Sequence, residues 1–237
     1  MKRCIIIAGA DIGNYDRLKK YIKTDDYIIC CDSGLKHCTG LGVKPDLIVG
    51  DFDSYIACDE IDRAKQSDDL SEKTTKAMNA LKKDCLLKYN TELQVLPCEK
   101  DDTDTVYGVK EAVKRGFREF LLFGIIGNRL DHTLGNVYIL FDLDAKGVSA
   151  MAVDDYSEMR VVSKRPVTIP AGKYAYFSLL NLTGKAKGVT IKHAKYCLED
   201  AEITSEYQYG ISNETMPGKD AIVSVKDGKL LLIGVFA

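Results

Sequence analysis

Over its first 153 residues the chain alternates two kinds of apolar pattern, and that alternation restricts the fold more than any other feature. Short runs rich in β-branched residues stand at Cys4–Ala8, Tyr27–Cys31, Leu47–Val49, Leu93–Leu96, Phe120–Ile125 and Ala150–Val153. Helix-like stretches lie between them. Asp104–Arg115 sets Val106, Val109 and Val113 on one face and ends at Gly116; Asp131–Lys146 carries Leu134, Val137, Leu140 and Phe141 and ends at Gly147. Strands alternating with helices predict an α/β domain whose mostly parallel sheet is flanked by helices. In such a sheet ligands bind at the carboxyl ends of the strands.

The pattern changes near Asp154. Short strands are predicted at Met159–Val162, Val167–Ile169, Tyr174–Leu180, Val189–Ile191, Glu202–Thr204, Ala221–Val225 and Lys229–Ile233, separated by turn residues such as Pro170-Ala171-Gly172. That half reads as an antiparallel β-sandwich. The expected domains are 1–154 and 155–237. The segment Tyr55–Glu92 is long for a connection and is expected to hold one or two helices, Thr74–Leu87 being the better candidate.

Composition excludes several classes. With 237 residues and a formal net charge of −2, the chain buries a real core and lacks the basic excess of a nucleic-acid binder. The Lys-rich stretch Lys73–Lys88 is interleaved with acids, as on a solvated helix face. Eight cysteines show no CxxC spacing, Cys30 and Cys31 are adjacent, and Cys4, Cys30 and Cys85 sit in apolar runs. A reducing, cytoplasmic setting follows. Met1-Lys2-Arg3 before Cys4–Ala10 superficially resembles a signal peptide, but Asp11 closes the run early, as in a first strand. No run approaches the roughly 20 apolar residues of a membrane span.

Acidic clusters stand where strand runs end or helix runs begin. Asp51 and Asp53, in Gly50-Asp51-Phe52-Asp53-Ser54, follow one strand two residues apart, so in an extended chain both carboxylates point to one side. Like charges that close call for a cation, and an oxygen-seeking one that also takes phosphate oxygens is Mg²⁺. Asp101, Asp102 and Asp104 open a helix and exceed what one cap requires. In Arg129-Leu130-Asp131-His132, the Arg129 fork suits phosphate oxygens, Asp131 is a helix cap or part of the site, and His132 is a structural residue or a proton carrier. Asp32-Ser33-Gly34 is a Gly-containing turn before a helix, able to approach phosphate or ribose, yet without dinucleotide or P-loop spacing. Each cluster alone is explicable as a turn or a cap. Their joint placement on one sheet edge is what points to a metal–phosphate site.

The ordered set resembles the thiamine pyrophosphokinase family. The carrying residues are Asp32-Ser33-Gly34, Lys44-Pro45-Asp46 leading into Gly50-Asp51-Phe52-Asp53-Ser54, Lys100-Asp101-Asp102-Thr103-Asp104, Gly127-Asn128-Arg129-Leu130-Asp131-His132-Thr133-Leu134-Gly135-Asn136, Lys195-Tyr196 and Gly210-Ile211-Ser212-Asn213-Glu214. The resemblance implies one-step transfer of the terminal diphosphate of ATP to the hydroxyl of thiamine, with AMP released. It implies Mg²⁺ held by Asp51, Asp53 and Asp104, and a nucleotide side including Arg129, Asp131 and Asn136. It places Tyr196, Ser212 and Asn213 with thiamine, in a homodimer whose thiamine sites lie between subunits. Ser33 and Asn128 stand where the family often has Gly, and the stretch from Ser54 to Lys100 is longer than expected.

The proton acceptor is left open between Asp101 and Asp131. The competing readings are a pyrophosphokinase for another heterocyclic alcohol such as a hydroxymethyl pterin, a nucleotide-binding protein without turnover, and a metal-dependent phosphohydrolase.

Overall fold

In the computed structural model the described residues are 2–51, 90–97, 99–207 and 209–237. The expected helix Thr74–Leu87, the cluster residues Phe52, Asp53 and Ser54, and Cys58, Cys85 and Cys98 lie outside them. The chain divides into two compact units, Met1–Ile139 and Leu140–Ala237.

The first unit is built on five parallel strands. They are β1 (Cys4–Ile7), β2 (Tyr27–Cys31), β3 (Leu47–Gly50), β4 (Glu92–Val95) and β5 (Glu119–Phe123), in the spatial order β4-β3-β2-β1-β5. Strand β1 is central, paired on both edges, and each of Cys4, Ile5, Ile6 and Ile7 is fully buried. This is why its sequence is continuously apolar rather than alternating. Burying such a side chain is worth about 1.5–3 kcal/mol. The described helices of this unit are α1 (Tyr15–Lys19), α2 (His37–Leu41), α3 (Asp104–Lys114) and the first part of α4 (Leu130–Ala145). Among the described residues, no helix is long and apolar enough to cross a membrane.

Two helix faces differ from expectation. In α3 the buried residues are Gly108, Val109 and Ala112, while Val106 and Val113 are only half buried. A Cβ on Gly108 would stand 2.7 Å from Cys31 Sγ, so the helix approaches the sheet through its small residues. In α4, Val137, Ile139, Leu140, Phe141 and Leu143 are buried but Leu134 is 51% exposed.

The second unit is all antiparallel apart from the end of α4. One sheet orders β6 (Ser149–Val153), β7 (Ser157–Val162), β13 (Leu230–Val235) and β9 (Tyr176–Leu180); the other orders β11 (Leu198–Thr204), β10 (Lys185–Lys192), β12 (Ala221–Ser224) and β8 (Val167–Ile169). Val162, Phe177, Leu179, Leu230 and Leu232 from the first meet Ile169, Val189, Ile191, Ile203 and Val223 from the second in one core. This is the expected sandwich. The described cysteines are free thiols: Cys4, Cys30, Cys31 and Cys38 are buried and Cys197 is exposed.

Candidate active site

The strand order of the first unit reverses at β1. From β1 the chain steps outward through β2 and β3 to β4, then returns to the other side of β1 as β5. Such a reversal leaves a crevice at the carboxyl ends of the two central strands. A cavity of about 530 Å³ opens there. Its walls come from Gly9 to Asp11 after β1, Asp32 and Ser33 after β2, Asp51 after β3, Thr103 to Thr105 at the start of α3, and Gly124, Ile125 and Gly127 to Arg129 after β5, with His132, Thr133 and Asn136 of α4.

Close backbone approach shapes this edge. Ala8 N donates to Phe123 O and Ala10 N to Gly124 O, both at 2.9 Å, extending the β1–β5 pairing past the strands. Gly124 has φ +62°, and a Cβ there would stand 2.2 Å from Ala8 O. The loop after β5 is tied to α4: Asn136 Nδ2 donates to Ile125 O at 2.8 Å, and the Thr133 hydroxyl both accepts from Gly127 N at 3.1 Å and donates to Gly127 O at 3.2 Å.

The acids on the cavity wall are unequal. Asp32 opens a short 3₁₀ turn (Asp32–Lys36) with φ +44°, a conformation that costs a non-glycine residue energy. It is 9% exposed, and its Oδ1 is buried with no hydrogen-bond partner. Asp51 is 7% exposed and accepts a short hydrogen bond from the Lys100 ammonium. The same Nζ lies 3.2 Å from Asp104 Oδ1, near enough for an ion pair but outside hydrogen-bond geometry, so that oxygen is also buried without a partner. Burial, then the charges of Asp51 and Asp32, pushes the Asp104 carboxyl up despite the opposing pull of Lys100. Burial alone would push Lys100 down; its hydrogen bond to Asp51 and its charge pairing with Asp51 and Asp104 outweigh that and leave it raised.

Asp104 is not needed as a cap. Thr103 is the N-cap of α3, its Oγ1 accepting from Val106 N at 3.3 Å. Asp102 is spent on Lys110, whose Nζ donates to its two oxygens at 2.9 and 2.6 Å, and Asp101 is exposed outside the cavity lining. Arg129 is on the wall, with Nε and Nη2 donating to Asp131 at 2.9 and 2.6 Å. Asp131 itself is exposed and outside the lining; it grips the guanidinium and is held well below the usual carboxylate range by that hydrogen bond.

The structure therefore gathers Asp32, Ser33, Asp51, Asp104, Arg129, His132 and Asn136 around one cavity. Gly34 lies behind it, where a Cβ would stand 2.2 Å from Ile7 O. Asp101 and Asp131 stand off the wall, and Asp53 lies outside the described residues. Sequence reasoning gave Lys100, Thr103 and Thr133 no role. The signal for Lys100 was its place four residues before Asp104, at the entrance to a helix.

Among the described residues no three carboxylate, imidazole or thiolate groups stand together as a ready metal cage. Mg²⁺ does not require one, since it is commonly bound by one or two carboxylates with phosphates and waters completing its shell. The Asp32 oxygen without a hydrogen-bond partner, and the Asp51–Asp104 pair facing one lysine, fit such a cation.

In the second unit Tyr196, Ser212 and Asn213 come from two loops zipped together. Asn213, 3% exposed, accepts from Tyr196 N at 3.0 Å and Glu214 N at 2.9 Å through Oδ1, and donates to Tyr196 O at 2.7 Å. Ser212 has φ +55° and its N donates to Ser178 Oγ at 3.0 Å. The Tyr196 ring is exposed, with Lys195 Nζ 5.7 Å from its centroid.

Comparison with known proteins agrees with this architecture. The model of the thiamin pyrophosphokinase catalytic domain matches residues 18–152, and that of the thiamin pyrophosphokinase vitamin B1 binding domain matches residues 164–230. A thiamine pyrophosphokinase of Bacillus subtilis (strain 168) is 25% identical over 241 residues, covering 98% of each chain. Among solved structures, a Bacillus subtilis thiamine pyrophosphokinase superposes with TM-score 0.77 at 21% identity and full coverage of both chains. A Geobacillus thermodenitrificans thiamin pyrophosphokinase gives 0.74 at 25% identity, covering 100% of this chain and 98% of that one. With its catalytic-domain model matched over more than half its length and the reversal-point cavity in place, the chain belongs to the thiamine pyrophosphokinase family, transferases that form thiamine diphosphate.

Proposed function

We propose that the cavity of the first unit binds ATP with Mg²⁺ and that its diphosphate passes there to the hydroxyl of thiamine, releasing AMP. The observation that carries this reading is the gathering of carboxylates at the strand ends: Asp32 is buried with Oδ1 lacking a hydrogen-bond partner, and buried Asp51 and half-buried Asp104 share a single lysine ammonium. Such groups are costly in a protein without a ligand to meet them. Asp51 and Asp104, with Asp53, would hold Mg²⁺; when bound, the ion neutralises charge that develops on the phosphates.

The chain's own groups supply position and charge. Arg129, oriented by Asp131, places its fork beside the phosphate chain. Asn136 and Thr133 fix the loop after β5, so the backbone N–H groups of Gly127 and Asn128 keep one geometry. Asp32, Ser33 and Gly34 form the turn that admits the nucleotide closely, and His132 stands on the nucleotide side. Of the two candidates for accepting the hydroxyl proton of thiamine, Asp101 is the better, because Asp131 is held ionised and oriented by Arg129.

Residues 155–237 serve as the thiamine-binding and dimerisation domain, and residues 1–154 as the catalytic one. Tyr196 offers an exposed aromatic face to the thiazolium cation, an arrangement its neighbour Lys195 already imitates. Ser212 and Asn213 hold the loop that carries it. Exposed Tyr207, Tyr209, Ile211 and Met216 in the same unit support a homodimer, whose partner would cover them. The chain is assigned to the cytoplasm.

The test is product analysis with ATP, Mg²⁺ and thiamine, a hydroxymethyl pterin, or no acceptor. AMP and thiamine diphosphate are expected only with thiamine. AMP with the pterin alone, or phosphate release without an acceptor, would reject the assignment.

A further inference from the structure

We propose that the Lys100 ammonium holds the place of the divalent cation between Asp51 and Asp104 and is displaced by it, so that metal binding and these Lys100 ion pairs exclude one another. The inference rests on the reading of Asp51 and Asp104 as metal ligands. Lys100 meets both at once, by a hydrogen bond to Asp51 Oδ2 and an approach of 3.2 Å to Asp104 Oδ1, with only 14% of its side chain exposed. An ammonium nitrogen sits close to 3 Å from its acceptors, whereas Mg²⁺ demands oxygens at about 2.0–2.1 Å. The same two oxygens cannot satisfy both.

The residue type suits a placeholder. Lysine carries a compact charge on a four-carbon stem that can swing away, while an arginine fork would lock onto one carboxylate. Lys100 also lies just before the Thr103 cap, so its backbone is outside α3 and its withdrawal leaves the helix intact. The device prevents Asp51, Asp104 and the neighbouring Asp32 from repelling one another when no metal is present. Metal binding pays in affinity for that protection.

The experiment is Mn²⁺ binding, read by electron paramagnetic resonance without nucleotide, for the wild type, Lys100→Met and Lys110→Met. Lys110 is the control, since it carries the same charge but is spent on Asp102 at the surface. Lys100→Met is expected to bind Mn²⁺ on the order of tenfold more tightly, the equivalent of about 1.4 kcal/mol. Lys110→Met is expected to stay within about twofold of the wild type. Equal or weaker binding by Lys100→Met overturns the proposal while leaving the metal-site reading in place. Failure of all three proteins to bind Mn²⁺ overturns that reading too. Should Lys100→Met not fold, acylation of wild-type Lys100 followed by mass spectrometry decides: labelling several-fold faster in Mg²⁺ than in chelator supports displacement, and an unchanged rate rejects it.

Discussion

The Ser33 hydroxyl oxygen stands 1.9 Å from the point a Cβ on Gly9 would occupy, and Ser33 Cβ is 3.2 Å from it. The turns after β1 and β2 thus interlock at a spot where an added methyl must turn the Ser33 hydroxyl aside and press on its Cβ. Gly9→Ala is expected to destabilise the protein by about 1–3 kcal/mol, the usual range for overpacking. Ser33→Gly added to it should recover most of that loss. Urea denaturation of the two single variants and the double variant gives the coupling directly.

The bidentate Arg129–Asp131 contact is exposed yet strongly felt by the acid, whose hydrogen bond to Arg129 holds it well below its ordinary value of 3.8. A depressed carboxyl contributes stability that is present above its unfolded value and is lost as pH falls through the folded one. Asp131 is therefore expected to remain ionised in acid where free carboxylates have already protonated. Arg129→Ala should return its titration toward 3.8. Carboxyl-carbon NMR titration of both proteins reads this. Without its anchor, the Asp131→Asn variant should raise the KM for ATP roughly tenfold with a smaller change in kcat, as expected when ground-state binding is lost.

The Asn213 side-chain amide serves Tyr196 as a strand partner would, bonding both its N–H and its carbonyl, and also accepts from Glu214 N. Asn213→Ala leaves two N–H groups and a carbonyl without partners, and a loss of about 2–3 kcal/mol is expected. Because the loop carries Tyr196, the KM for thiamine should rise while that for ATP holds. Calorimetric melting with steady-state kinetics in each substrate separates the two effects.

The legible part of the fold follows from where burial is two-sided. β2 was predicted at its observed limits because Tyr27–Cys31 is a continuous apolar run in a parallel sheet, and β8 at Val167–Ile169 because turn residues bound it. The packing face of α3 was misread, since apolar periodicity does not register Gly108 and Ala112, the residues that let the helix approach Cys31. Leu134 fits the apolar spacing of α4 yet stays exposed, unlike Val137, Leu140 and Phe141. β10 extends to Lys185–Lys192 beyond the predicted Val189–Ile191 because exposed Lys185 and Lys187 alternate with buried Ala186 and Gly188. At the site, the sequence motifs picked out Asp32, Asp51 and Asp104 on the cavity wall but not Asp11, which stands alone after β1. The sequence signal did not separate Asp104, on the cavity wall, from Asp101 and Asp102, off it, since that distinction depends on which direction each faces at the start of α3.

The most direct measurement is the rate of AMP formation from ATP and thiamine in Mg²⁺ for the wild type, Asp51→Asn and Asp104→Asn. With those carboxylates holding the metal against the phosphates, kcat should fall on the order of a hundred- to a thousandfold in either variant, with thermal melting close to that of the wild type. Wild-type rates in Asp51→Asn and Asp104→Asn would contradict the placement of the metal–phosphate site in this cavity.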